Sequence, residues 1–488
     1  TGRRRRRPST AMADTRSTGS AAPDPLSGLA ARLRAAGWPP WEVAALAATT
    51  ALALVLRLHD YTSAPLFLDN TDELQFAWAG LNLLQHGDPY TWSLFSGYPS
   101  WTPFAAFGQT FRMVHHWMDH PPLFSVIVGG WAWLLGDRQM GQVTAGQVRI
   151  IPVLASTATV PLAYLLGRPL IGKRASIVGA LLLATGPGAV LLGRETEPES
   201  LQAVLLLVAL LCTRRLVDGA AGRRLSLAVL LVCGAAAPLM KVSGIAVAGI
   251  CLVILFVFGQ RRAAVLVGAS GVAGLLGFAV YGYVVDWHLF LRIWTQQVGN
   301  RQGVLAAFDF IADPTGVNRR LRDGWWLLGW IGIGMLALRH DRRLQLLLVW
   351  PAAAYAATML VLAGGQQVQQ YGWYKVIIYP EVYVAAGYLA WTAVRRASVG
   401  LLTLLLALGG ATAANWLLGG LDQEWVPNPV VLVALFLVVV GPAAWAAARG
   451  EGVGARQTAV TIASLALGAM VFGNAMESLI LSFILGRM

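Results

Sequence analysis

Two adjacent acids follow the first apolar segment of the chain. Asp72 and Glu73 end the run Leu68-Asp69-Asn70-Thr71-Asp72-Glu73, shortly after an apolar stretch that finishes near Leu58. A carboxylate within hydrogen-bond reach of a hydroxyl can act as a general base for group transfer. Acids also favour the first turn of a helix, where they complement the macrodipole. The residues alone leave both interpretations open.

A second group of reactive side chains lies further along the same polar stretch. The run His115-His116-Trp117-Met118-Asp119-His120 carries three histidines and an aspartate in six residues. Such residues can ligate a metal. They also occur as surface groups, so His120 is a candidate site residue and a candidate metal ligand.

A short polar segment interrupts the apolar pattern at Arg194-Glu195-Thr196-Glu197-Pro198-Glu199-Ser200. Glu197 and Glu199 could hold a divalent cation or position an acceptor, with Arg194 beside them. The alternative is a solvated turn that gives the next helix an acidic start.

Lys241 lies in an apolar stretch that Pro238 and Gly244 can break. A lysine at the tip of a helical hairpin could pair with a phosphate at the lipid boundary, or its amine could simply extend to the interface. Later polar segments add Arg301, Tyr371 and Lys375. Cations and aromatic rings of this kind suit a phosphate with a sugar stacked nearby.

The elements that position these residues are membrane helices. Hydrophobic residues make up 56% of the chain and charged residues only 12%, well below the roughly 25% charged of a soluble domain. Apolar runs of about 17–25 residues recur throughout, as helices that cross a bilayer require. We therefore predict an all-α, polytopic integral membrane protein with about thirteen transmembrane helices and interfacial helices in a large first outer loop.

The predicted topology starts with a basic tail, residues 1–39, on the inner side, and a first span at 41–58. The segment 121–136 is only sixteen residues long and tryptophan-rich, so we assign it to the outer interface. The other predicted spans are 148–167, 175–193, 201–213, 225–239, 242–259, 263–285, 325–338, 344–362, 377–394, 399–418, 429–447 and 458–480.

Charge supports this topology. It puts 24 of the 37 basic residues and six of the 24 acids on the inner side, as the positive-inside rule expects. The net charge of +13 is spread over these inner loops and the tail, so we exclude nucleic-acid binding. The three cysteines lie in apolar runs and imply no disulfide or zinc framework.

We divide the chain into three parts on this basis. The tail 1–39 is disordered and cytoplasmic. A module at 40–285, with the outer loop 59–147, carries most candidate residues. A variable transmembrane module at 286–488 includes the outer loop 286–324.

The order of motifs resembles the GT-C glycosyltransferases, in particular the branch of protein O-mannosyltransferases and lipid A aminoarabinose transferases. The matching pieces are Thr71-Asp72-Glu73, Asp119-His120-Pro121-Pro122-Leu123, Val148-Arg149-Ile150-Ile151-Pro152, Gly167 to Gly172, Arg194 to Ser200 and Leu239-Met240-Lys241. The likeness covers about 65–260. Met240 and Val242-Ser243 depart from the Thr and Gly-Pro usual around the lysine.

The resemblance implies an inverting hexosyl- or pentosyltransferase that uses a polyprenyl-phosphate sugar at the extracytoplasmic face. It implies Asp72 as the catalytic base, with Glu73 beside it. It also implies that Glu197 or Glu199 is an acid of the site and that Lys241 binds the donor phosphate, for which Arg301 and Lys375 are further candidates. A divalent metal is left open.

Protein, lipid and glycan acceptors also stay open. The Ala-, Gly- and Arg-rich composition favours a bacterial plasma membrane. The rival function is a transporter or lipid flippase, which would place ionisable residues in the middle of its spans.

Overall fold

The computed structural model describes residues 37–65, 71–299, 310–311, 323–362, 372–410, 412, 429–448 and 453–485. Internal contacts divide the chain into two units, Thr1–Ala45 and Leu46–Met488. In the first unit the described residues are 37–45, which begin the first helix; the site belongs to the second unit. Arg301, Tyr371 and most of the tail 1–39 lie outside the described residues.

Helices account for most of the described chain. They are α1 Pro40–Leu58, α2 Asp72–His86, α3 Pro122–Leu134, α4 Ala145–Ile171, α5 Lys173–Thr185, α6 Pro187–Leu192, α7 Glu199–Val217, α8 Arg223–Met240, α9 Ile245–Val257, α10 Arg261–Gly299, α11 Gly324–Ala337, α12 Trp350–Leu362, α13 Tyr379–Arg396, α14 Val399–Leu405, α15 Pro429–Ala448 and α16 Val453–Leu485. Short 3₁₀ or π turns precede α9, α12 and α13, and a π turn extends α14.

The lengths and composition of these helices confirm a polytopic membrane protein. Among the described residues, seven helices are long and apolar enough to cross a membrane, and five apolar helices of 10–17 residues accompany them. The total of thirteen spans stays a prediction. The segment assigned to the interface forms α3, whose 13 residues fall short of the roughly 20 that a span needs.

One predicted span is interrupted. The segment 175–193 divides into α5, which ends at Thr185, and the short helix α6, which begins at Pro187. Proline disfavours a helical conformation in the residue before it and lacks the N–H that would continue the helix, which accounts for the break at Gly186.

The outer loop also contains a small antiparallel sheet that the all-α prediction did not include. Its strands are β1 Thr91–Trp92, β2 Thr102–Ala106 and β3 Gln109–Val114, in the order β1-β3-β2. Phe107 and Gly108 connect β2 to β3, and both have positive φ angles of 50° and 73°. Two successive residues in this conformation make the tight turn that suits a hairpin.

Glycines let the helices of the outer loop and of the membrane approach closely. At the crossing of α2 and α3, a Cβ added to Gly80 would lie 1.7 Å from the Ser125 carbonyl oxygen, and one on Gly129 would lie 2.2 Å from the Leu81 nitrogen. A similar contact joins Gly387 of α13 to Gly179 of α5. Small residues at such crossings are typical of membrane helix pairs. The crossing with α3 holds α2 in place, and with it the two acids at its start.

Candidate active site

The acidic pair begins helix α2, and its two members differ in exposure. Asp72 is the first residue of the helix and its side chain is partly exposed, whereas Glu73 is fully buried. Adjacent helical positions differ by about 100° around the axis, so the two carboxylates face different surroundings. The two acids therefore have different partners.

Glu73 forms a buried ion pair with Arg149 of α4. Arg149 donates to both carboxylate oxygens, from Nε to Oε2 at 2.8 Å and from Nη2 to Oε1 at 2.6 Å. The backbone N–H of Thr196 donates to the same Oε2 at 3.0 Å. A carboxylate with three donors is held in place and neutralised. This geometry suits a residue that ties three segments together; its predicted place in the acceptor or metal site stays a prediction.

Lys241 lies at the break between α8 and the turn before α9, as the Pro238 and Gly244 pattern predicted. Its side chain is buried and donates to Glu199 Oε1 at 2.6 Å, with Glu197 Oε2 at 3.7 Å. Its Nζ also lies 4.4 Å from the centroid of the Tyr374 ring. Burial alone would lower the pKa of Lys241, but Glu199, Tyr374 and Glu197 outweigh it and raise that pKa above its usual value. The ammonium therefore stays charged.

A second buried lysine, Lys375, follows Tyr374 directly. Its Nζ lies 5.5 Å from the centroid of the Trp326 ring, within the range of a cation–π contact. Its charge also acts on the carboxyl of Asp323, which caps the start of α11 by accepting from the Trp325 N–H at 2.9 Å. The two predicted donor-binding cations thus contact different rings, Lys241 that of Tyr374 and Lys375 that of Trp326.

Asp119 is a carboxylate that our prediction of site residues did not include. It is buried and accepts from Ser93 Oγ at 2.6 Å and from the Tyr98 hydroxyl at 2.7 Å. Each hydroxyl in turn accepts a backbone N–H, from Phe95 and Met118 respectively. Because each hydroxyl has a single proton, both are set to donate to Asp119.

The ionisation of Asp119 is balanced by opposing effects. The pKa of Asp119 is raised to about 7, and burial is the largest cause. Hydrogen bonds from Ser93 and Tyr98 lower this pKa, and the negative charge of Asp72 raises it. This influence places Asp72 near Asp119. A carboxylate with a pKa near neutrality beside a second, partly exposed carboxylate is typical of sites that transfer protons.

Replacing Asp119 by Asn is expected to change how stability depends on pH. The pKa of Asp119 is higher in the folded chain than in the unfolded chain, so folding strengthens proton binding and stability falls as pH rises from about 4 to about 7. Asn cannot titrate and removes this contribution. We expect the thermal midpoint of the wild type, relative to Asp119→Asn, to be higher at about pH 5 than at about pH 8. A difference that does not vary with pH would contradict the raised pKa.

The remaining predicted residues in the described part of the chain are His120 and Arg194. His120 is partly buried, with its ring centroid 5.1 Å from that of Phe76 and 5.7 Å from that of Trp117. Arg194 is fully buried and donates to the carbonyls of Leu56 at 2.5 Å and Ala64 at 3.3 Å. Arg194 therefore braces the end of α1.

No donor set for a metal is found in the described part of the chain: no group of three or more His, Cys, Asp or Glu side chains there could hold an ion. Glu199 and Glu197 face Lys241 instead. The described residues therefore supply no metal centre of their own, and no step of the chemistry below passes through one.

A series of contacts and chain neighbours links the predicted residues. Glu73, which follows Asp72, bonds to Arg149 and accepts the backbone N–H of Thr196. The next residue, Glu197, lies 3.7 Å from Lys241, whose Nζ lies over the ring of Tyr374. Lys375 follows Tyr374 in the chain.

Comparison with known proteins identifies the fold. Residues 119–287 match the family model of dolichyl-phosphate-mannose-protein mannosyltransferases. This segment contains Asp119, Arg194, Glu197, Glu199 and Lys241 and begins after Asp72. Among curated proteins, none matches the chain.

Solved structures of one protein, in two states, show the same architecture. ArnT from Cupriavidus metallidurans bound to undecaprenyl phosphate has a TM-score of 0.55 and 17% identity, covering 92% of this chain and 78% of that chain. Its apo state gives 0.54 and 16%, with coverage of 92% and 78%. The oligosaccharyltransferase of Archaeoglobus fulgidus in the apo form gives 0.45 and 13%, with coverage of 87% and 56%. The chain has the GT-C fold, and its predicted resemblance to the branch that contains ArnT and the protein O-mannosyltransferases is confirmed.

Proposed function

We propose that the chain is a glycosyltransferase that moves a sugar from a polyprenyl-phosphate donor to an acceptor hydroxyl at the extracytoplasmic face of a membrane. The observation that carries this proposal is that the acids differ in their ion pairs and in their exposure. Glu73 is neutralised by Arg149, and Glu199 by Lys241, whereas Asp72 is partly exposed beside a buried carboxylate. Asp72 is thus the acid of this group that an acceptor can reach from solvent.

Asp72 is the catalytic base in this mechanism. Its carboxylate takes the proton of the acceptor hydroxyl while the hydroxyl oxygen attacks the anomeric carbon. The bond from that carbon to the phosphate oxygen breaks in the same displacement, so the configuration at the carbon inverts. Asp119, whose own pKa is raised to about 7 mainly by burial, lies near this base.

Lys375 is the group that compensates the phosphate charge, together with Lys241, whose ammonium also faces Glu199 and Glu197. Each is buried and lies against an aromatic ring, so its charge acts in surroundings with little water. The leaving polyprenyl phosphate gains negative charge as the sugar departs, and fixed cations stabilise that charge in the transition state. The similarity to a structure that holds undecaprenyl phosphate supports this class of carrier.

The experiment is a transfer assay in proteoliposomes with polyprenyl-phosphate sugars of defined anomeric configuration. The donor to test is chosen from lipids that co-purify with the chain, identified by mass spectrometry. We expect release of polyprenyl phosphate and a product with the opposite anomeric configuration. Movement of the intact donor across the bilayer without cleavage of the sugar would instead support the flippase, and a product that retains configuration would contradict the single displacement.

A further inference from the structure

Helix α10 changes direction at Asp286 and restarts there. Asp286 has non-helical φ and ψ angles of −165° and 104° inside the helix. Its side chain accepts the backbone N–H of Leu289 at 2.9 Å, so it caps the second part, residues 287–299. The family model ends at 287, at the start of this second part, which we name the outer arm of α10.

The outer arm bonds to the loop 93–98 through Gln296. The side-chain oxygen of Gln296 accepts the Gly97 N–H at 3.0 Å, and its amide nitrogen donates to Ser96 Oγ at 2.8 Å. The fit is close, because a Cβ added to Gly97 would lie 2.9 Å from Ile293 Cδ1 and 3.0 Å from the Gln296 oxygen. The backbone of this loop is therefore seated directly on the arm.

The next residue, Gln297, bonds to Asp119 itself. Its buried amide nitrogen donates to the Asp119 backbone carbonyl in a short hydrogen bond. The loop that Gln296 holds supplies both hydroxyls that bond to the Asp119 carboxylate, from Ser93 and Tyr98. Consecutive glutamines thus fix the backbone of Asp119 and the loop around its side chain.

The chemistry of each contact sets what each glutamine must provide. A carbonyl oxygen only accepts hydrogen bonds, so position 297 requires a donor. The Gly97 N–H only donates, so position 296 requires an acceptor, and Ser96 can serve as donor or acceptor there. Gln297 is needed for its N–H and Gln296 for its oxygen.

We propose that Gln296 and Gln297 are positioning residues of the transferase, which hold Asp119 and the loop 93–98 in a fixed position relative to Asp72. This role rests on the proposed function and adds to it a part of the chain that lies beyond the matched family segment. The arm does not contact the reacting atoms in this role. It acts on catalysis by keeping one carboxylate beside the other, where a displacement of about 1 Å can cost on the order of 100-fold in rate.

The test uses substitutions that keep shape and change hydrogen bonding. Gln297→Met and Gln296→Met remove the required donor and acceptor, and we expect kcat to fall by about 10- to 100-fold in each with KM for the lipid donor unchanged. Gln296→Glu keeps the acceptor for Gly97, and Ser96 can turn its hydroxyl to donate, so its kcat is expected to stay within about twofold of wild type. Thr295→Val is the control on the same helix, because Thr295 is exposed and bonds only to carbonyls of its own helix.

Hydrogen–deuterium exchange provides a readout that needs no turnover. We expect faster exchange in both Met variants at the amides of 93–98 and at Met118, and wild-type exchange in Gln296→Glu and Thr295→Val. Faster exchange with wild-type kcat, or loss of kcat in Gln296→Glu equal to that in Gln296→Met, would overturn the positioning role. Absence of transfer by the wild-type chain would instead overturn the proposed function and the catalytic part of this role together.

Discussion

Asp72→Asn is expected to lower kcat for sugar transfer by about 10²- to 10⁴-fold, the usual contribution of a general base. Asn has nearly the same shape but cannot take the acceptor proton. At the start of α2, the substitution removes the interaction of the carboxylate with the helix macrodipole, about 0.3–1 kcal/mol. We therefore expect little change in the thermal midpoint or in binding of the lipid donor. Single-turnover kinetics with saturating donor separate the chemical step from binding.

Asp88→Asn is the matched control for that prediction. Asp88 is an outer-loop carboxylate that bonds to His115 at 2.7 Å and to His116 at 3.0 Å. Asn can still accept the His116 backbone N–H, so kcat is expected to stay near that of wild type. Wild-type kcat in Asp72→Asn would remove Asp72 from the mechanism. An equal loss in Asp88→Asn would show that the assay responds to damage of the loop and not to a base.

Arg149→Met is expected to have the largest effect on stability, a loss of about 3–5 kcal/mol. The substitution leaves the Glu73 carboxylate buried without its cation, and the side chains of both partners are almost completely enclosed at 1% and 0% exposure. Such a loss is a large fraction of the total stability of a folded chain. Thermal unfolding in detergent measures it through the midpoint and the unfolding rate.

The double substitution Glu73→Gln with Arg149→Met tests whether the loss comes from the unpaired charge. It removes both charges, so we expect part of the stability of Arg149→Met to return. Recovery is incomplete, because Arg149 also donates to the carbonyls of Tyr61 at 3.0 Å and Pro65 at 2.8 Å. A double variant as unstable as the sum of its single variants would show that the pair is not coupled. Transfer activity per folded molecule should persist in the double variant if Glu73 only supports the site.

The fold could be predicted from the sequence largely because a bilayer restricts the choices. An apolar run of sufficient length must form a helix there, since the backbone has no other hydrogen-bond partners in lipid. The break at Lys241 was predicted for the same reason, with Pro238 and Gly244 beside it, and the structure has it there. The short helix α6 shows the limit of this reasoning, because hydropathy does not register a turn inside an apolar run.

The small sheet was missed for a different reason. Strands of two to six residues carry too little periodicity to be detected among aromatic residues. Phe107-Gly108, between two runs rich in Thr and Phe, was the local signal for a hairpin, but a non-glycine residue with positive φ in a turn is hard to anticipate. In the structure, Phe104 and Phe111 of the sheet pack edge-on against Trp78 of α2.

The sequence indicated candidate charged residues, whose roles stay predictions, but not how they pair. Lys241 with Glu199 joins residues 42 positions apart, and Gln297 with Asp119 joins residues 178 apart. No local pattern encodes such contacts, so Gln296 and Gln297 gave no signal. Asp119 did, because it precedes His120-Pro121-Pro122 in a motif that marked the resemblance, although the adjacent histidines indicated metal binding instead.

The buried arginines have a consequence for the order in which the protein is made. Arg57 bonds to carbonyls 126 to 132 residues later in the chain, and Arg194 bonds to carbonyls 130 and 138 residues earlier. During synthesis, Arg57 enters the bilayer with the Ala53 carbonyl of its own helix as a partner, long before residues 183–189 leave the ribosome. The full set of Arg57 contacts, and the contacts of Arg194 with Leu56 and Ala64, form only when the end of α5, α6 and the polar turn after it arrive. Pulse-labelled ribosome-bound chains truncated before and after residue 194 would show this as a sharp gain in protease resistance.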